Sequence, residues 1–230
     1  MKLLAQKDIE KSKNEIIRIL KVNGFDSKSI TVCLASKSPR RRSLLQSIIP
    51  KIKTDSVSDK EEFVMFPNMK EIAHYLALQK QKIFLENKKD NRDRFVITSD
   101  TIVYYESERK LLGKPENRAN AEEMLRYHLG KKQTVASAVV IADRYLERVY
   151  SIVDTAEVIF KANAKDMDEP IQQYLALEPP LGPLDKAGAY GVQEELVNRY
   201  LIEKVVGDLN TVIGFPLEKF TQKWASIIEL

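Results

Sequence analysis

A chain of 230 residues with 43% hydrophobic and 30% charged positions can bury one substantial core, as a single domain or as two small lobes, and has the make-up of a soluble globular protein. Its net charge of +4 comes from 37 basic residues interleaved with 33 acidic ones, which permits an anionic partner without demanding nucleic acid, and because the basic cluster is local no nucleic-acid partner is expected. The one cysteine, Cys33, excludes an internal disulfide and fits a reducing compartment; no signal peptide and no membrane-length apolar run is read, so a cytoplasmic protein without a membrane partner is expected.

In chain order, Ile9, Ile16, Ile17 and Leu20 recur at helical spacing and predict an amphipathic first helix ending near "NGF". "ITVCLA" is a short β-branched run and predicts a strand, with Cys33 as a buried, inert thiol. Helices are expected in "RRSLLQSII", after Pro39, and in "NMKEIAHYLALQKQKIFLENKK". "RFVITSDTIVYY" predicts a strand broken at its centre, and "NRANAEEMLRYHLG" a helix stopped by Gly130. "QTVASAVVIAD" and "RVYSIVDTAEVIF" predict a strand hairpin, and "DEPIQQYLAL" a short helix. A Pro/Gly-rich stretch, "EPPLGPLDKAGAYG", precedes a strand, a turn and a short element in "NRYLIEKVVGDLNTVIGF". A last helix is opened by Pro216. Early alternation and later clustering of strands give an α/β class with a mixed sheet.

Four stretches carry candidate chemistry. In "LASKSPRRRSLL", Ser38 is a candidate helix cap, Pro39 a candidate first helical residue, and Arg40, Arg41 and Arg42 are expected in the first turn. Positive charge there opposes the helix dipole by roughly 0.3–1 kcal/mol per charge, which points to an anion nearby; the alternative is a solvated basic turn. In "VITSDTIV", Asp100 follows a core strand, where a carboxylate needs a partner or a metal, or else bonds its own backbone in a turn. In "LLGKP", Lys114 is fixed between Gly113 and Pro115, either aimed at a phosphate or a surface lysine in a tight turn. In "DKAGAYGVQ", small residues around Lys186 permit close backbone approach to a ligand, Tyr190 could stack, and Gln193 could read a base edge; the alternative is a glycine-rich connection.

Together these stretches resemble the Maf family of nucleotide pyrophosphatases. The family's Ser-x-Ser-Pro-Arg-Arg-x-x-Leu-Leu stands complete as Ser36, Ser38, Pro39, Arg40, Arg41, Leu44 and Leu45. Its Asp-Thr matches Asp100 and Thr101, its Gly-Lys-Pro residues 113–115, and its Asp-Lys-Ala-Gly-Ala-Tyr-Gly-x-Gln residues 185–193. "GDLNTVIGFPL" is similar to the family's C-terminal motif, and a family lysine falls on Lys80. The departures are an extra N-terminal helix, Ser137-Ala138-Val139 in place of Thr-Gly-Val, Thr211 beside Asn210 where an asparagine is usual, and added residues before Lys186.

The resemblance implies an N-terminal helical extension over 1–29 and a Maf-like domain over 30–230, with a mixed, twisted sheet flanked by helices and two lobes around a central cleft, the inosine-triphosphatase-like fold. It implies a nucleoside triphosphate pyrophosphatase of the dTTP/UTP branch, acting on pyrimidine or modified nucleotides as housecleaning of the nucleotide pool. Ser36, Ser38, Arg40, Arg41, Lys80, Lys114 and Lys186 would meet phosphate, Gln193 the base, and Asp100 would be catalytic. Mg²⁺ or Mn²⁺ would be held by Asp100 and an acidic residue among Asp59, Glu61 and Glu62, taken as Glu61. A homodimer is implied as well. The alternatives are a nucleotide-binding regulatory protein without turnover and an N7-methyl-GTP pyrophosphatase.

Overall fold

The structure is a computed structural model that describes residues 2–22, 30–49, 51–56, 68–88, 91–162 and 167–228. Helix α1 spans Lys2–Val22, strand β1 Val32–Ala35, α2 Pro39–Ile48, β2 Ile52–Asp55 and α3 Met69–Asn87. Strand β3 spans Phe95–Tyr105, β4 Lys110–Leu112, α4 Arg118–His128, β5 Lys132–Asp143 and β6 Arg148–Phe160. Helix α5 spans Asp168–Leu175, β7 Ile202–Val206, α6 Leu209–Ile213 and α7 Leu217–Ile228. Among the described residues seven strands form one sheet in the order β2-β1-β3-β5-β6-β7, with β4 on β3. β1 pairs parallel with β2 and β3, while β3–β4 and β6–β7 are antiparallel, so the sheet is mixed as the alternation predicts. Asp59, Glu61 and Glu62 lie outside the described residues.

The chain divides into two compact units: unit 1 gathers 1–100, 137–154 and 214–230, and unit 2 gathers 101–136 and 155–213. In unit 1 the period-2 alternation of the strands sorts two faces. Val32, Leu34, Phe95 and Ile97 pack with Leu45 and Ile48 of α2 and Phe220, Trp224 and Ile227 of α7. Cys33, Ala35 and Val96 face the other way, onto Phe84 of α3. Burial pushes the Cys33 thiol up to about 11, as an inert buried group requires. Trp224 sets its ring edge-on to Phe95, centroids 4.8 Å apart. Helix α1 joins this core, with Ile16 and Ile19 buried in the cluster that holds α2 and α7.

Unit 2 has its own core, in which Val103, Tyr105, Leu125, Val135, Phe160, Ile171, Tyr174 and Tyr190 are buried together. Gly130 follows α4 at φ 70, the left-handed conformation that ends a helix at little cost when the residue is glycine. Strand β3 runs unbroken through Asp100, which corrects the expected central break. The carboxylate is accommodated by a side-chain partner and not by a turn in its own backbone.

Because Ile16 is 1% exposed within the unit 1 core, Ile16→Ala should cost about 2–4 kcal/mol of folding free energy. Chemical denaturation checks this; a change under 0.5 kcal/mol, the scale of a surface site, would show α1 to be peripheral.

Candidate active site

In unit 1 the end of β1 turns directly into α2. The Ser36 amide prolongs the β1–β2 ladder by donating to the Asp55 carbonyl at 2.9 Å. The Ser36 hydroxyl accepts the Ser38 amide at 3.2 Å, and the Ser38 hydroxyl caps α2 by accepting the Arg41 amide at 3.4 Å. Pro39 is the first helical residue, and no acidic side chain stands in the first turn to answer the helix dipole. Arg40 and Arg41 are half-buried at this end, whereas Arg42 is exposed.

Arg41 is tied down on both sides of its guanidinium. Its Nε donates to the Gly214 carbonyl at 2.9 Å and its Nη1 to the Ser99 carbonyl at 2.8 Å. The Ser99 hydroxyl donates to the same Gly214 carbonyl at 3.0 Å. Gly214 lies at φ 114, which disfavours any residue with a side chain, and its carbonyl accepts from both donors. The glycine of "IGFP" is therefore a clamp on the arginine of "SPRRR".

Residues 98–100 of β3 divide by the same alternation. Thr98 and Asp100 point toward α3, while Ser99 points toward Gly214. The Thr98 hydroxyl lies 2.9 Å from both the Ala77 carbonyl and the Gln81 Oε1, which sets the register of α3. One helical turn from Ala77, Lys80 then reaches Asp100, and the ammonium donates to Oδ1 of the carboxylate. Both members are largely removed from solvent, with side-chain exposures of 18% and 13%. Unit 1 thus places Ser36, Ser38, Arg40 and Arg41 at the start of α2, tied through Arg41 to Ser99 in the middle of β3, and the next residue, Asp100, holds Lys80.

Unit 2 holds Lys114, Lys186 and Gln193. The Gly188 amide donates to the Gly113 carbonyl at 2.9 Å, so the "GKP" and "DKAGAYG" stretches are joined through backbone. Lys114 and Gln193 are exposed and Pro115 is buried. Lys186, at 3% exposure, is turned into its own loop. Its three donors meet the Pro180 carbonyl at 2.6 Å, the Gly182 carbonyl, and the Asp185 carboxylate at 2.9 Å, with Glu194 3.9 Å away. A Cβ on Gly191 would lie 2.7 Å from Lys186 Cε, so glycine is what lets the lysine stem pass. Tyr190 is not offered for stacking on a base. Its ring is buried edge-on against His128 and Phe160, with centroids at 5.4 and 5.2 Å.

The sequence reading missed His128 and Tyr105. His128 is fully buried, with Nε2 2.6 Å from the Gly188 carbonyl and Nδ1 2.6 Å from the Tyr105 hydroxyl. A carbonyl only accepts, so Nε2–H donates, and in the neutral ring Nδ1 then accepts from Tyr105. Burial pulls the His128 pKa down to about 4, which keeps that ring neutral. The one sequence signal is a histidine in the last turn of α4, which reads equally well as a dipole partner.

Loss of the Arg41 clamp leaves the Gly214 carbonyl to the Ser99 hydroxyl and takes a charged donor from the Ser99 carbonyl. Arg41→Ala is therefore expected to destabilise the protein by about 1–2 kcal/mol, and Arg42→Ala to stay within about 0.5 kcal/mol. Equal denaturation midpoints for the two variants would remove the structural role of the clamp.

The Maf-like protein family model matches residues 31–226. A dTTP/UTP pyrophosphatase of Bacillus anthracis is 35% identical over 193 residues, which span 84% of this chain and 93% of that protein. A dTTP/UTP pyrophosphatase of Bacillus cereus (strain Q1) matches with the same identity and the same coverage. With its motifs placed as described and with relatives this similar along most of its length, the chain belongs to the Maf-like protein family.

Proposed function

We propose that the protein is a nucleoside triphosphate pyrophosphatase acting on dTTP and UTP, as the names of its relatives read, and on related pyrimidine nucleotides. The observation that carries the proposal is in unit 1. A capped helix start crowded with arginine and lacking any acidic side chain is anchored through Arg41 to the residue that precedes Asp100. Such a helix start is built for phosphate, and an adjacent carboxylate is what water-mediated phosphoryl chemistry needs beside it.

Ser36, Ser38, Arg40 and Arg41 are assigned to the phosphate chain, and Lys80 to both phosphate and the orientation of Asp100. On the family pattern, Lys114 is assigned to phosphate and Gln193 to the base, whereas Lys186, whose three donors are engaged inside its own loop, is assigned to bracing that loop and not to the phosphate its motif implies. Asp100 is assigned the attacking water, whose proton its carboxylate takes. The water oxygen forms a bond to the α-phosphorus, the bond to the β-phosphate's bridging oxygen breaks, and pyrophosphate leaves with the electron pair. The arginines and lysines stabilise the charge that develops on the leaving group.

Among the described residues no three histidine, cysteine or acidic side chains form a group that could hold a metal by themselves. The single carboxylate of Asp100 suits a hard divalent cation completed by phosphate oxygens, which is how Mg²⁺ is commonly held. Asp100 would hold such an ion, with Glu61 as the second candidate ligand. Mg²⁺ or Mn²⁺ bound there would supply charge neutralisation and polarisation of the phosphoryl group.

Pyrophosphate release measured across dTTP, UTP, CTP, GTP and N7-methyl-GTP tests the proposal. Highest efficiency is expected on dTTP and UTP; release of orthophosphate alone would rule out attack at the α-phosphorus. Turnover should vanish on chelation and return with Mg²⁺ or Mn²⁺. Asp100→Asn should lower turnover by roughly 10²-fold or more while the fold survives. A folded Asp100→Asn variant with near-normal turnover would sink the assignment.

A further inference from the structure

We propose that His128 is a positioning residue for the loops of unit 2, holding Gly188, and through it Gly113, so that Lys114 and Gln193 stand at fixed places. The proposal rests on the nucleotide reading given above. A buried helix position facing an apolar cluster is filled most cheaply by an aliphatic side chain, because an imidazole there must have both nitrogens bonded. Here both are bonded, at 2.6 Å each, and to different parts of the chain: Tyr105 of β3 and the Gly188 carbonyl. The ring plane is fixed as well, stacked on Phe160 at 4.6 Å and met edge-on by Tyr190 at 5.4 Å.

What it holds is a backbone that needs holding. Gly188 and Ala189 are consecutive left-handed residues, at φ 70 and φ 61. For a residue with a side chain that conformation costs roughly 1–2 kcal/mol. Both polar groups of Gly188 are engaged: the carbonyl accepts from His128, and the amide donates to the Gly113 carbonyl at 2.9 Å. Gly113 precedes Lys114, and the segment after Ala189 leads within four residues to Gln193. Lys186 braces the far side of the same loop through the Pro180 and Gly182 carbonyls. The imidazole thus spans from the helix framework to the backbone bond that joins the two motifs.

The test compares two polar variants. In His128→Gln the amide nitrogen stands near the place of Nε2 and keeps the donor to Gly188. In His128→Asn it stands near the place of Nδ1 and does not reach. If His128 positions the loops, His128→Asn raises the KM for dTTP about tenfold and leaves kcat within about threefold, while His128→Gln restores KM to within about threefold of the unmodified protein. A folded His128→Asn variant with unchanged KM, or equal impairment of the two, would overturn the proposal. Hydrogen exchange without nucleotide reads the same claim independently of turnover. Segment 185–193 of the unmodified protein should exchange with the slow kinetics of α4, and at least tenfold faster in His128→Asn, while unit 1 is unchanged. Fast exchange of 185–193 in the unmodified protein beside a protected α4 would overturn the proposal even if neither variant folds. Failure of the nucleotide reading alone would appear as absent turnover with this exchange pattern intact.

Discussion

The Arg41 guanidinium, bonded to the Gly214 and Ser99 carbonyls, is the constraint on which the rest of unit 1's chemistry depends. It joins three segments that are far apart in the chain: the start of α2, the middle of β3 and the turn before α7. Cationic side chains at a helix start oppose the dipole, so something else must fix them. Here two carbonyls fix one of them, and a glycine at φ 114 makes one of those carbonyls available. The helix start, and with it the capped Ser38 turn, is thereby held in register with the middle of the strand, beside Asp100.

A second constraint is the alternation of β3. Thr98 and Asp100 share a face, so the bonds that dock α3 at Ala77 and Gln81 also deliver Lys80 to Asp100. An ammonium that both neutralises and orients a mostly buried carboxylate removes the desolvation problem that such a group poses alone. Unit 2 relies on the same device in another form. Its loops are held by polar groups turned inward, Lys186 on carbonyls and a carboxylate, and His128 on Gly188, with apolar rings packed around them.

Much of this was legible in the sequence, and the exceptions have physical causes. Long periodic segments such as α3 and α7, and β-branched runs such as β1 and β6, follow from local pattern. Strands β2 and β4, of four and three residues, carry too few positions for a period to register and are specified by pairing with β1 and β3. The break expected at Asp100 assumed that a core carboxylate must bend its strand; the partner that spares it lies 20 residues earlier, where no local signal reaches. Tyr190 beside glycines reads as an exposed stacking ring, yet it fills the core of unit 2. Ser36, Ser38, Arg40 and Arg41 stand out in the sequence because residue type and turn chemistry coincide at the start of α2, and Asp100 because a carboxylate interrupts an apolar run. The roles of Gly214 and His128 are carried by a backbone carbonyl and by a buried contact 60 residues away, which a motif match and a helix-end position do not specify.

The account assigns one event to this machinery: water, oriented by Asp100, attacks the α-phosphorus of a pyrimidine triphosphate. Turnover of dTTP in ¹⁸O-labelled water, followed by mass spectrometry of both products, tests this most directly. The account predicts one ¹⁸O atom in the nucleoside monophosphate and none in the pyrophosphate. Label in the pyrophosphate would place the attack at the β-phosphorus and contradict it.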